Sequence, residues 1–297
     1  MTTDLHSIPR EAVLPRRKTR LGTALKELGK APFTAWLGLV IIITYLVVAI
    51  FAPWIAPYRE SQVFEQPYAP WGGDFLLGTD QLGRDLLTRL IYGARNTIGI
   101  AVATTLLAFI VGGGLGILAA IRGGWVDQIV SRIVDVILAI PLLISALMLL
   151  SIFGSNVTNI ILIIALLDST RVFRLSRAAA MNVVVMDYVE AARLRGEGLG
   201  WIMRREILPN VMPILVAEFG LRFCFVFLTI SALSFLGVGI QPPTADWGSM
   251  VRENSTLITY GNITPLLPAG AIAVLTVGVN FVVDWFLHKT SGLRDEH

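Results

Sequence analysis

The sequence predicts an all-α polytopic membrane protein with six transmembrane helices and both termini on the inner side. Three observations carry this. Of the 297 residues, 55% are hydrophobic and 15% charged, against roughly 25% charged in soluble domains. The mean hydropathy is +0.70. The apolar residues gather into runs near the length of about 20 residues that crosses about 30 Å of hydrocarbon. The 24 Lys and Arg are shared unequally between the two sides, and that bias sets orientation.

The elements follow in order. Residues 1–31 form a basic inner segment carrying Arg10, Arg16, Arg17, Lys18, Arg20, Lys26 and Lys30. The membrane domain runs over 32–287, and 288–297 is an inner tail. The first span, 33–53, exceeds the apolar core of a signal peptide and reads as a retained anchor. Pro53 and Pro57 close it, with Trp54 and Tyr58 placed as interfacial aromatics. The longest outer stretch follows, from Glu60 to Arg95. Its Leu77-Gly78-Thr79-Asp80-Gln81-Leu82-Gly83-Arg84-Asp85 run has neither the spacing nor the closing glutamate of a calcium loop, so a structured turn leading into an interfacial helix is expected.

The second span, 95–121, contains Gly112, Gly113, Gly114 and Gly116. Without a following lysine these make a close-packing face and not a phosphate loop. The turn Arg122-Gly123-Gly124-Trp125-Val126-Asp127 is an inner hairpin. The third span is 128–153. The fourth, 157–175, is the least apolar, because Asp168 and Arg171 follow a clean core of only Val157 to Leu167. Asp135 and Asp168 read as structural acids close to the inner side. The fifth and sixth spans are 211–240 and 265–287. His288 falls at the inner boundary and Met212 reads as packing, so neither suggests a metal site. Cys224 is the single cysteine, which excludes an internal disulfide.

With the N-terminus inside, the inner side holds the seven basic residues of the first segment plus Arg122, Arg132, Arg171, Arg174, Arg177, Arg193, Arg195, Arg204, Arg205, Lys289 and Arg294. The outer side holds Arg59, Arg84, Arg89, Arg95 and Arg252, and Arg222 lies within a span. Eighteen against five favours an even number of crossings. One helix more or fewer puts either the basic tail or the basic 171–205 segment outside. The net charge of +3 therefore follows membrane topology and does not indicate nucleic acid.

The most informative polar stretch is 187–210. Asp187 and Glu190 are spaced as a D-x-x-E capping pair at a helix start. Ala191 and Ala192 form helix with little bulk, so that face can approach another surface closely. Gly196, Gly198 and Gly200 allow a sharp turn, a second short helix runs from about Trp201 to Ile207, Pro209 ends it, and Asn210 is placed to cap the next span. Within the fifth span, Glu218 and Arg222 stand four apart with the acid first, so they share a helix face. Two readings stand: they line a pathway, or they pair structurally near the inner end.

The run "EAARLRGEGLGWIMRREILPN" resembles the EAA loop of binding-protein-dependent ABC importer permeases, with Glu190, Ala191, Ala192, Gly196, Ile207, Leu208 and Pro209 at its positions. "LGTDQLGRDLLTRLIYGAR" (77–95), "GGWVDQIVSRIVDVILAIP" (123–141) and "SFLGVGIQPPTADWGSM" (234–250) are similar to the C-type permease of the dipeptide/oligopeptide/nickel transporter family, and the likeness covers about 30–285. The last stretch departs from it: in place of the family's G-D-x-L-R-D-x-L-D-P-like tail stand Val283-Asp284-Trp285-Phe286-Leu287-His288-Lys289, with Leu293-Arg294-Asp295 arriving late. The resemblance implies the type I importer permease fold in a bacterial inner membrane, with 187–210 as a cytoplasmic coupling helix. Asp187, Glu190, Ala191, Ala192, Arg193, Gly196, Ile207, Leu208 and Pro209 would meet an ATPase subunit.

It also implies the partners: a second, homologous permease chain, two cytoplasmic ATP-binding subunits and an extracytoplasmic solute-binding protein. The chain has no P-loop, because Ala24 stands where Gly29-Lys30 needs an earlier glycine and Ala31 follows. It is therefore not expected to be an enzyme or to bind a cofactor, with ATP and Mg held by the partners. Di- and oligopeptides lead as cargo; nickel chelates, opines and oligosaccharides are carried by relatives of this type. An ion-coupled secondary transporter and a membrane scaffold are the competing classes. The first has only Glu218 as an acid well inside a span and no paired inverted repeats with broken helices, and the second gives no reason for the capped helix-turn-helix at 187–210.

Overall fold

A computed structural model describes residues 31–291; the predicted basic segment at 1–30 and the last residues, 292–297, lie outside the described residues. The helices are α1 (Phe33–Ile55), α2 (Leu86–Ala108), α3 (Gly114–Arg122), α4 (Gly124–Leu138), α5 (Leu142–Phe153), α6 (Val157–Val184), α7 (Asp187–Leu194), α8 (Leu199–Ile202), α9 (Leu208–Phe235), α10 (Trp247–Asn254) and α11 (Leu266–Ser291). A π-turn at Phe109–Gly113 joins α2 to α3, and another at Met203–Ile207 joins α8 to α9. Among the described residues β-pairing is limited to two isolated bridges in the outer loop, Gly72 with Phe75 and Thr79 with Asp85.

Four helical runs are long and apolar enough to cross a membrane: Phe33–Ile55, Leu86–Arg122, Leu199–Phe235 and Leu266–Lys289. The six predicted spans map onto these, onto the α4–α5 pair and onto α6, with changed ends. The third is not one straight helix. It bends by 88° between α4 and α5, because Pro141 offers no N–H and forces Ile140 away from helical geometry. The second span begins at Leu86, well before residue 95, where Asp85 caps the helix by accepting from the Thr88 N–H at 2.7 Å. No separate interfacial helix precedes it. The fourth continues to Val184, beyond the predicted residue 175. Pro53 lies inside α1, which ends two residues later.

Small residues decide which helices meet. A Cβ on Gly116 would stand 2.6 Å from the Phe173 carbonyl, and one on Gly112 would strike the Ser169 backbone. The α3 end of the second span therefore lies directly on α6. Gly38 and Gly278 give α1 and α11 a similar approach. The main core gathers Leu150, Ile160, Ile164, Phe227, Ile230 and Leu233 between α5, α6 and α9.

The outer end is closed by an ion-pair cage. Arg84 Nε reaches Asp80 Oδ2 at 2.6 Å and its Nη2 reaches Glu253 Oε2 at 2.8 Å, while Arg89 stands 3.5 Å from Asp80 and 3.8 Å from Glu253. All four side chains are buried, so these two arginines are not the free outer charges that the sequence count takes them for. Beside the cage, Asp246 caps α10 by accepting from the Ser249 N–H and takes a second hydrogen bond from the Thr97 hydroxyl. Burial holds its carboxyl pKa above the usual carboxylate range, an effect those hydrogen bonds only partly offset. Trp247 then fills the space against Gly93 and donates to the Leu90 carbonyl at 2.9 Å.

Glu253→Ala is expected to destabilise the protein by about 3–5 kcal/mol, because two buried guanidiniums are left with one carboxylate. Thermal unfolding of the purified protein in detergent checks it, with Glu65→Ala, an exposed acid of the first outer stretch, as the silent control.

Candidate functional site

The segment 187–210 folds as a two-faced module on the inner ends of α3, α6 and α9. Val189, Ala192, Ile202, Ile207, Val211 and Leu215 pack with Ile117, Ile121, Ala179 and Ala180 in one buried cluster. Asp187, Glu190, Ala191, Arg193 and Gly196 lie on the opposite, exposed face. The coupling set named from sequence is thus divided: Ala192 and Ile207 point into the protein's own core and Leu208 is half-buried, while Pro209 is exposed. Ala192 therefore does not offer its surface to a partner. The 3.6-residue period of α7 separates neighbours by about 100°, which puts adjacent alanines on different faces.

Local chemistry sets the ends. Met186 occupies the cap position of α7 and supplies no side-chain hydrogen bond, so Asp187 is a first-turn residue and not the cap. Asp187 and Glu190 act there through charge, facing the positive end of the helix. Gly196 ends α7 with φ of 81°. Its N–H donates to Arg193 O at 2.9 Å and the Glu197 N–H to Ala192 O at 3.2 Å, the paired bonds of a Schellman stop, which favours glycine. Pro209 does not end a helix. It sits in the first turn of α9, where a missing N–H costs little. Asn210 does not cap α9 either; its Nδ2 donates back to Glu206 O at 2.5 Å.

Two apolar side chains on this module were missed from sequence. Leu194 is 84% exposed and Val185 78%, beside the half-exposed Met186 and Tyr188. For Leu194 the available signal was phase, since it falls opposite the face defined by Val189 and Ala192; Val185 precedes α7 and is set by the end of α6. Gly200, Trp201, Arg204, Arg205 and Pro209 line an open recess of about 760 Å³ next to them. The Arg195 guanidinium lies 6.0 Å from the centre of the Trp201 ring. Asp127 accepts from both Nε and Nη2 of Arg177, which ties the 122–127 hairpin to α6 shortly before the module begins.

A second group of charges lies deeper. Arg222 Nε donates to Glu218 Oε1 at 2.5 Å. Arg222 Nη1 stands 3.8 Å from Asp168 Oδ1, and Arg171 Nη1 stands 3.5 Å from the same oxygen. Asp168 follows the start of α6 by 11 residues, about 16 Å along a helix, so it is a mid-helix residue. The network joins α6 to α9, the two helices that run directly into and out of the 187–210 module.

Residues 112–289 match the model of the binding-protein-dependent transport system inner membrane component. Residues 34–70 match the N-terminal transmembrane domain of oligopeptide transport permease C. The chain is 39% identical over 268 residues to the dipeptide transport system permease protein DppC of Escherichia coli K12, covering 88% of this chain and 87% of that one. It is 37% identical over 265 residues to the di/tripeptide transport system permease protein DppC of Pseudomonas aeruginosa, covering 87% and 85%. Similarity extends to the glutathione transport system permease protein GsiD of Pectobacterium atrosepticum, at 30% identity over 256 residues, covering 86% and 83%. A solved structure of the MetNI methionine ABC transporter in inward-facing conformation overlays with a TM-score of 0.54 at 18% identity, covering 67% of this chain and 94% of that one.

The division of the module predicts opposite outcomes for neighbouring alanines. Ala192→Glu buries a carboxylate with no counter-charge and should cost about 3–5 kcal/mol, seen as loss of folded protein from membranes. Ala191→Glu should leave yield and thermal midpoint unchanged. Detergent extraction followed by size-exclusion chromatography of the two variants compares them directly.

Proposed function

The chain belongs to the family of binding-protein-dependent transport system inner membrane components, and from that premise we propose that it is the permease subunit of an ATP-driven importer of di- or oligopeptides. The observation that carries the proposal is the two-faced module at 187–210. Its inner face is satisfied by the protein's own core, yet its outer face holds Asp187, Glu190, Ala191, Arg193 and the apolar Leu194 in the open. Exposed large apolar residues on a charged inner surface suit a partner that covers them. Ion pairs at such a surface contribute only about 0–1 kcal/mol each, so fit around Ala191, Leu194 and Gly196 carries more of the docking than Arg193, Arg195, Arg204 and Arg205.

In this reading two ATP-binding subunits hold ATP and Mg and do the hydrolysis, and one docks on the module. Their closure moves α6 and α9 together, since the module is continuous with both helices. A second, homologous permease chain supplies the other wall of the pathway, and an extracytoplasmic binding protein delivers the cargo. Glu218 and Arg222 line that pathway. Six crossings require that the bent α4–α5 pair and α6 each count as one. Names of the curated relatives support peptides as cargo, a tripeptide (glutathione) among them.

Gly196→Asp and Glu190→Lys should abolish ATP-driven uptake while the protein remains inserted and assembled. A Cβ at Gly196 meets open space, so the fold loses only about 1 kcal/mol of backbone preference. Proteoliposomes containing the whole complex, loaded with binding protein and a labelled dipeptide, measure this. Uptake that needs an ion gradient and no ATP would overturn the proposal. Normal peptide-stimulated ATPase activity in both variants would overturn the role of the module.

A further inference from the structure

We propose that Arg171 and Arg222 form a receptor inside the membrane for the carboxylate of the passing cargo, with Asp168 and Glu218 as the positioning residues that hold the two guanidiniums. The proposal rests on the peptide reading above and adds to it the chemistry of one site. Depth is the first argument. Asp168 lies about 16 Å from the outer end of α6, and Arg222, 14 residues after Leu208, lies about 21 Å along α9. Both distances fall well inside a hydrocarbon layer of about 30 Å. An ionised side chain at that depth costs at least about 2.5–3.5 kcal/mol against lipid, so it faces water or protein.

Exposure is the second argument. The Asp168 side chain is 1% exposed, whereas Arg171 is 37% exposed and Arg222 18%. The acid lies behind and the two cations lie in front, on the side not covered by this chain. Geometry is the third. Both arginines converge on the single oxygen Oδ1 of Asp168 at 3.5 and 3.8 Å, close enough for attraction but too long for hydrogen bonds. Asp168 Oδ2 has no hydrogen-bond partner. Asp168 therefore holds the guanidiniums near one another while engaging at most one nitrogen of each, Nη1. Glu218 takes only Nε of Arg222. What remains is a pair of planar forks with free donors, the geometry that matches a carboxylate.

Every free peptide carries one such carboxylate. A peptide amide lacks it, and that difference isolates the site. The measurement is ATP-driven uptake by the complete complex in proteoliposomes, comparing a dipeptide with its C-terminal amide. The binding protein is saturated with each ligand, as verified by a separate affinity measurement. In the wild-type complex the acid should be taken up at least about tenfold faster than the amide, the scale of one charge-assisted hydrogen bond. Arg171→Gln should slow the acid by about that factor and leave the amide nearly unchanged. Arg171→Lys keeps the charge, assembles if Arg171→Gln does not, and should slow the acid several-fold, because an ammonium cannot engage both carboxylate oxygens in the same way.

Equal slowing of acid and amide would show a structural role, including a partner subunit's acid as the true mate of Arg171, and would overturn the receptor while leaving the importer reading intact. Absence of ATP-driven uptake of any peptide by the wild-type complex would overturn the importer reading and the receptor with it.

Discussion

A charge withdrawn from water must find its opposite, and in this protein the opposite comes from a distant part of the chain. That constraint ties the molecule together at three levels. Outside, Asp80, Arg84 and Arg89 of the first outer stretch meet Glu253 of α10. At mid-depth, Asp168 and Arg171 of α6 meet Arg222 and Glu218 of α9. Inside, Asp127 of the hairpin meets Arg177 of α6. Apolar packing among helices in a bilayer supplies little directional information, since lipid tails are as apolar as leucine. Ionic ties and close glycine contacts supply it instead.

α6 takes part in two of these three ties and packs against the glycines of the second span. It also leads through only two residues, Val185 and the extended Met186, into the 187–210 module, and α9 leads out of it through the π-turn at 203–207. Displacement of the module cannot be absorbed locally, because its underside is locked by Val189, Ala192, Ile202 and Ile207 into the ends of α3 and α6. The Asp168–Arg222 contact then links the same two helices again, in the middle of both.

Much of this was legible beforehand. Hydropathy placed the helices, and the spacing of Glu190, Ala191, Ala192, Gly196 and Pro209 marked a short helix and turn at 187–210. Gly196 stops α7 as expected, because a Schellman turn requires a residue that accepts positive φ. Other features followed contacts that no local pattern encodes. Met186 took the cap that Asp187 was expected to provide. Pro209, read as a stop, became a start, because the π-turn before it accommodates the missing N–H. Pro141 was visible in the third span, but hydropathy is blind to a bend of 88°.

The sequence by itself determined the class of protein, the inner placement of the 187–210 segment and the residue types at each intramembrane position, since these depend on transfer free energies and helix periodicity, which are local. Only the tertiary structure decided that Ala191 faces out and Ala192 in, that Arg84 and Arg89 are buried partners of Glu253, and that the buried Asp168 stands beside Arg171 and Arg222. Those outcomes depend on which helix lies against which. Electrostatic attraction acts through space, and residues 169 positions apart in the chain become neighbours only once the helices have packed.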